Sequence, residues 1–377
     1  MVRARRRKKV RKLNKLIIIP ALFVIVVTIC VNLIWQLDMP DVFVDSSTRD
    51  SGGRGAETLV GEPEPMEFSA WLADWEWAAG IEDFNIVSEE MASVQLFAAY
   101  FDENKKLLLT DDFSEMLPKF EEAVEILGAE EVYLTVVNDT VFAAGGSVQK
   151  DPELISALMR NEESRANHIA EIVGLVSDYD FAGVEIDYEK IREEDWEFVV
   201  AFYRELYEAL TVAGKELRIV LEPSVPVESL SLPEGPTYVM MAYNLYGTHS
   251  GPGPKADVAL ITQVAEKLQT LEGNHYLALS AGGFAWSEDG SVRALTEVEA
   301  AASAAMSSEP VQRDKASGAV HFTYVDDAGR EQIVWYADDE TFSKWIKTAR
   351  EQGINRIALW RLGEIEGSTL DVFNGMD

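Results

Sequence analysis

The sequence predicts an α/β protein built on a (β/α)8 TIM barrel, with a small inserted α+β subdomain before the last strand and one N-terminal transmembrane helix ahead of it. Three observations carry that prediction. Eight short apolar runs alternate with helical stretches beyond residue 66, the pattern of βα repeats around a parallel sheet. The span from about 284 to 345 is too long for an ordinary crossover and holds an aromatic hairpin sequence. An uncharged run of 22 residues, Leu16 to Leu37, follows a strongly basic start.

Taken in order, residues 1–15 form a basic tail with nine Lys or Arg between Arg3 and Lys15 and no acid. At 1.5 Å per residue the run Leu16 to Leu37 spans roughly 33 Å, enough for a bilayer core. A cleavable signal peptide has an apolar region of about 7 to 15 residues and a small-residue cleavage site, so 16–37 reads as an uncleaved anchor. The basic tail then stays in the cytoplasm, and the protein is single-pass with its main domain extracellular. Cys30, the only cysteine, lies inside the apolar run and has no disulfide partner. Residues 38–66 are rich in Gly, Ser, Pro and acid without hydrophobic periodicity, the composition of a flexible linker. Residues 67–377 are then one barrel, with the insertion at about 284–345.

The eight strand runs are Phe68 to Trp75, Ala92 to Tyr100, Glu131 to Val137, Phe181 to Glu189, Leu217 to Leu221, Tyr238 to Asn244, Tyr276 to Ala281 and Arg356 to Trp360. Between them, Asp112 to Leu127 opens on an acidic cap and places Phe113, Met116, Leu117, Phe120, Ala123 and Val124 on one helical face. Ile169, Ile172, Val173 and Val176 repeat that spacing. Trp71, Trp75 and Trp77 recur at period two near the first strand, so they share one face if the strand continues through them.

The fourth run carries Glu185, Asp187 and Glu189 at alternate positions, with Val184, Ile186 and Tyr188 between them. On a strand the three carboxylates face one way and the apolar partners the other. Two readings follow. Such alternation marks either a half-exposed strand with a wet face, or a buried parallel strand whose acids look into a functional interior. The flanking helices, and Gly183 where backbone passes closely, favour the second. Carboxylates about 6.7 Å apart repel by roughly 2.5 kcal/mol at an effective dielectric near 20, so one of them is expected to hold its proton near neutrality. A protonated acid beside an ionised neighbour suits general-acid cleavage of a glycosidic bond.

The segment Phe181-Ala-Gly-Val-Glu-Ile-Asp-Tyr-Glu189 resembles the active-site strand of glycoside hydrolase family 18, the chitinase-like group, whose pattern is D-G-x-D-x-D-x-E. The resemblance implies Glu189 as the acid and Asp187 as its partner, with Glu185 where the family has Asp or Asn and Ala182 where it has Asp. Val239-Met-Met-Ala-Tyr-Asn244 is similar to the family's M-x-Y-D/N strand, implying that Tyr243 contacts a substrate N-acetyl group with Asn244 as its polar companion. Ile357-Ala-Leu-Trp-Arg-Leu-Gly363 looks like the last barrel strand, with Trp360 as the floor under the cleaved sugar. His321 to Trp335 resembles the hairpin inserted before that strand. Trp75 is a candidate sugar contact, Glu185 is a further candidate substrate-binding residue, and Tyr336 either lines the cleft or packs beneath it. The S-x-G-G pattern of the third strand is replaced by Tyr133-Leu-Thr-Val-Val-Asn-Asp139, which resembles the bacterial branch of cell-wall and spore hydrolases.

The resemblance implies a retaining, substrate-assisted glycosidase acting on β-linked polysaccharide that contains N-acetylglucosamine, such as peptidoglycan, chitin or poly-N-acetylglucosamine, with no cofactor. The alternative is a membrane-tethered barrel that binds glycan without cleaving it. Beyond the tail, 24 Lys and Arg face 65 Asp and Glu, a net of −41 obtained by removing the nine tail cations from the 33 in the chain. That field repels nucleic acid and anionic wall polymers and favours a substrate that is neutral or cationic at the cleaved bond. A solubility adaptation to salty or alkaline surroundings explains the charge equally well. The four histidines, His168, His249, His275 and His321, show no metal-ligand spacing.

Overall fold

The computed structural model describes residues 65–127, 131–273 and 275–375. The basic tail, the expected anchor at 16–37 and the linker up to residue 64 lie outside them. Among the described residues no helix is long and apolar enough to cross a membrane.

Fifteen strands are present among the described residues. Barrel strands β1 (Glu67–Ala73) and β2 (Met91–Phe101) are followed by a two-residue annex, β3 (Leu107–Leu108). Next come β4 (Glu131–Val141) with its annex β5 (Ser147–Val148), then β6 (Gly183–Asp187), β7 (Glu216–Leu221), β8 (Thr237–Met241) and β9 (Tyr276–Ser280). The insertion supplies β10 (Gly282–Ser287), β11 (Val292–Leu295), β12 (Gln312–Arg313), β13 (Val320–Val325) and β14 (Glu331–Ala337) before the last barrel strand, β15 (Arg356–Leu362). Parallel pairing runs β1-β2-β4-β6-β7-β8-β9-β15 and returns to β1, closing an eight-stranded ring. All eight predicted runs are strands of this ring.

Period-two alternation gives the barrel two cores. Outward residues such as Leu72, Leu96, Leu134, Val184, Ile186, Ile219, Met240, Leu279 and Leu359 are buried against the helices. Inward residues Trp71, Phe97, Val137, Val220, Val239, Met241, Tyr243, Ala278 and Ala358 fill the ring. Cross-strand register puts Thr135 beside Glu185, and Glu185 beside Arg218, at one level of the interior. Gly183 opens β6 because a Cβ there would stand 2.3 Å from the Glu216 carbonyl oxygen and 2.8 Å from the Tyr133 ring.

The helix Asp111–Leu127 and the helix Glu162–Asp178, capped by Asn161 through a 2.9 Å bond from the Ser164 N–H, belong to the outer ring. The insertion is a five-stranded antiparallel sheet ordered β11-β10-β14-β13-β12. The helix Glu297–Ala304 packs on it through Ala300, over Leu295, Phe322, Tyr324 and Val334. Its bounds differ from the expected 284–345. The helix Asp339–Glu351 is an outer-ring helix, because Phe342, Trp345 and Ile346 sink into the barrel core. Gly282, at φ +66°, turns the chain out of β9 into the insertion, where a Cβ would lie 2.2 Å from the Leu295 carbonyl oxygen.

Candidate active site

Strand β6 and the two residues after it set three carboxylates at three depths. Glu185 is fully buried and accepts hydrogen bonds from Trp71 Nε1 at 2.5 Å and Thr135 Oγ1 at 2.9 Å. Arg218 Nε lies 3.0 Å from its other oxygen, and the Arg218 guanidinium sits over the Tyr276 ring at 4.6 Å. This charge is therefore neutralised below the cleft rather than offered to a ligand, which corrects the expectation that Glu185 binds substrate. Arg218, from the neighbouring strand, matches the charge of Glu185, but Glu185 still adds to the repulsion felt by the next carboxylate.

Asp187, one level higher, is buried, and among the described residues no cation forms an ion pair with it. Burial, reinforced by the charges of Glu189 and Glu185, pushes its carboxyl well above the usual range. Its Oδ1 has no hydrogen-bond partner among the described residues. The proton expected on the acidic strand is thus favoured at Asp187. Tyr188 then points outward, with its hydroxyl 2.6 Å from His168 Nε2. Glu189 follows at the rim, 13% exposed and ion-paired with Lys150. Burial raises its carboxyl too, against the opposing pull of Lys150.

The backbone of Glu189 is held from both sides by one residue. Asn138 Oδ1 accepts from the Glu189 N–H, and Asn138 Nδ2 donates to the Glu189 carbonyl oxygen, each at 3.0 Å. Asn138 belongs to the third-strand segment that departs from the chitinase pattern. Next to it, Asp139 accepts from the Lys150 N–H at 2.8 Å and so fixes the turn that carries the lysine.

The cleft around these groups, about 380 Å³, is lined by Trp75, Phe97, Tyr100, Asn138, Asp139, Lys150, Asp187, Glu189, Met241, Tyr243, Asn244 and Trp360. Trp360, at the end of β15, meets Phe97 edge-on at 4.8 Å and Trp71 at 5.7 Å between ring centroids. Burial and the nearby carboxylates raise the Tyr243 hydroxyl well above its usual value, so it remains a donor. Asn244 lies past the end of β8 in the left-handed region, at φ +60°, a conformation that Asn tolerates.

The structure therefore brings Glu189, Asp187, Tyr243, Asn244, Trp360 and Trp75 together. It does not bring Tyr336, which packs against Phe322 inside the insertion at 6.4 Å. The three early tryptophans part company as well. A 3-10 turn at Asp74–Glu76 ends the strand, leaving Trp71 inside the ring, Trp75 49% exposed at the cleft and Trp77 against the outer core. Sequence reading missed Lys150, Asn138 and Arg218. Only Asn138 carried a signal, as part of the segment already marked as unusual. Among the described residues no group of three or more His, Cys, Asp or Glu is placed to hold a metal ion.

Residues 81–364 match the profile of Glycosyl hydrolases family 18. A Bacillus subtilis (strain 168) protein named as a sporulation-specific glycosylase is 26% identical over 226 residues, covering 56% of this chain and 54% of its own. The cortical fragment-lytic enzyme of Bacillus anthracis is 25% identical over 235 residues, covering 56% and 53%. The chain thus spans about half the length of these relatives. In fold, it is similar to the Bacillus megaterium QM B1551 spore cortex-lytic enzyme SleL, with a TM-score of 0.71 at 15% identity over 84% of this chain and 75% of that one.

Proposed function

The chain belongs to family 18 of the glycosyl hydrolases, and on that premise we propose that it cleaves β-linked polysaccharide containing N-acetylglucosamine, with retention and with the substrate's own acetamide as nucleophile. One observation carries the reading: Glu189, Asp187 and Tyr243 converge on a single cleft beside Trp360.

In the proposed reaction, Glu189 gives its proton to the departing glycosidic oxygen as the bond to the anomeric carbon breaks. The acetamide oxygen closes on that carbon. Asp187 orients the acetamide by hydrogen bonding and stabilises it, while the Tyr243 hydroxyl donates to its oxygen. Glu189, now ionised, then takes a proton from the incoming water, whose oxygen bonds to the anomeric carbon as the bond from that carbon to the acetamide oxygen breaks. Trp360 and Trp75 offer apolar faces for a sugar ring, and Asn244 a polar contact at the rim.

The proposal places the barrel outside the cell, held to the membrane by residues 16–37, and this part rests on the sequence alone. The kinship with cortex-lytic proteins favours a cell-wall glycan over chitin. Incubation of the full-length protein with peptidoglycan, chitooligosaccharides and poly-N-acetylglucosamine tests the activity through release of reducing ends. We expect product from at least one, and a loss of about 10²- to 10⁴-fold in Glu189→Gln, the range a general acid contributes. Undiminished cleavage by that variant removes Glu189 from its role. Binding without product makes the barrel a tethered glycan-binding protein instead.

A further inference from the structure

A second cavity, about 330 Å³, lies across the wall formed by Trp75 and Trp360, which line both it and the catalytic cleft. Its charges are almost all matched. Glu76 is ion-paired with Arg361, and Glu299 with Arg293 at 3.0 Å. Glu297 accepts from the Thr369 hydroxyl at 2.6 Å, and burial pushes its carboxyl up to about 8, so it is largely uncharged at neutrality.

Lys255 is the exception. It reaches the cavity from the loop after β8, and among the described residues its ammonium donates to neutral oxygens, Ser280 Oγ at 3.0 Å and the Ala281 carbonyl at 2.6 Å. It also stands 5.2 Å from the centroid of the Phe284 ring. No carboxylate pairs with it among the described residues, in a chain where acids outnumber bases 65 to 33. A half-buried cation with three donors, two of them engaged, keeps one for a ligand. Burial, with Arg361 nearby, lowers it to about 7, so it is about half charged at neutrality, and a carboxylate placed beside it would favour the ammonium form.

We propose that this cavity is the subsite for the sugar adjoining the one that is cleaved, and that Lys255 selects there a sugar bearing a carboxylate. The inference rests on the reading under Proposed function and narrows its substrate class to a heteropolymer in which N-acetylglucosamine alternates with an acidic sugar. The acidic protein surface opposes an anionic strand at long range, and Lys255, which no carboxylate pairs among the described residues, supplies the local attraction that offsets it at this subsite. The acid could be a lactyl ether, as in N-acetylmuramic acid, or a uronate, and both present the same group.

The test compares kcat/KM of the full-length protein on four glycans. These are peptide-free strands of alternating N-acetylglucosamine and N-acetylmuramic acid, the same strands with the carboxyl reduced to an alcohol, oligosaccharides alternating N-acetylglucosamine and glucuronic acid, and chitohexaose. We expect wild type to favour the carboxylated muramyl strand over its reduced form by about tenfold or more, the scale of a charge-assisted hydrogen bond. Lys255→Met should erase that preference and Lys255→Arg should keep most of it. Preference for the glucuronic strand over the muramyl one assigns the site to uronates. Equal cleavage of intact and reduced strands by wild type overturns the proposal, as does a proportional loss on both in Lys255→Met. If no glycan is cleaved, the hydrolase reading fails separately. Calorimetric titration with N-acetylmuramic acid and N-acetylglucosamine then decides the subsite: tighter binding of the acid, lost in Lys255→Met, upholds it, and equal binding refutes it.

Discussion

Lys150 and Glu189 form an ion pair at the open end of the barrel, the ammonium donating to Oε2 of the carboxylate proposed as the general acid. The two reach each other because β5 and the turn after it fold back over β4, and Asp139 pins the Lys150 backbone. The contact opposes the acid's task, since a nearby cation stabilises the ionised form. Burial of Glu189 works the other way and prevails. Removing the cation takes away the lowering influence alone. Lys150→Met is therefore expected to move the alkaline limb of the kcat/KM profile to higher pH, where wild type has already lost its proton. A limb that stays in place or moves to lower pH contradicts the role given to this pair.

Asp187 makes a prediction about stability. Its folded pKa is raised, chiefly by burial, so protonated Asp187 suits the folded state and the ionised form does not. Its favourable contribution is complete below the unfolded value of about 3.9 and is lost as pH rises toward the folded one. Asp187→Asn keeps the shape without the charge. It should unfold at a higher temperature than wild type at pH 8, with the gap closing by pH 4, while turnover falls and glycan binding persists. Melting curves at the two pH values check the sign, and an equal or lower melting temperature at pH 8 rejects it.

How much of this was legible follows from what each feature depends on. The eight strands were readable because local alternation alone decides which face is buried. Their ends were not. Phe181 to Glu189 overran β6, and Tyr238 to Asn244 overran β8, because the alternation of residue types outlasts the hydrogen-bonded ladder. Trp75 and Trp77 left the expected face where three residues turn as a 3-10 helix. The carboxylates of β6 and Glu189 just beyond it were visible, but their cations were not. Arg218 meets Glu185 through cross-strand register, and Lys150 meets Glu189 through the path of a turn 39 residues away. Neither relation has a period in the sequence.

The buried pair of Glu185 and Arg218 supports a prediction about folding. Arg218 also reaches Ser69 Oγ at 3.3 Å and lies over Tyr133 and Tyr276, so it links strands on opposite sides of the ring. Arg218→Met leaves a buried carboxylate without its cation, which costs about 3–5 kcal/mol. Combining it with Glu185→Gln removes the stranded charge and should restore much of that loss, so the two changes are far from additive. Urea unfolding of the single and double variants measures the difference. Simple additivity denies that the ion pair is what holds this layer together.

Asn138 gives the last test, because it touches Glu189 only through the backbone. Its side-chain amide bridges the N–H and carbonyl of Glu189 and so fixes where that carboxyl stands beyond the end of β6, where no strand pairing holds it. Asn138→Ala removes both bonds while leaving the Glu189 side chain and the aromatic walls in place. A small displacement of a catalytic group costs on the order of 10²-fold in rate. The expected outcome is a fall of that order in kcat with KM changed less than threefold, because the missing contacts orient the acid and do not grip the sugar. Asn138→Gln, with the same amide on a longer arm, should recover part of the rate. A variant that loses KM and kcat together, or loses neither, shows that Glu189 is positioned by something other than Asn138.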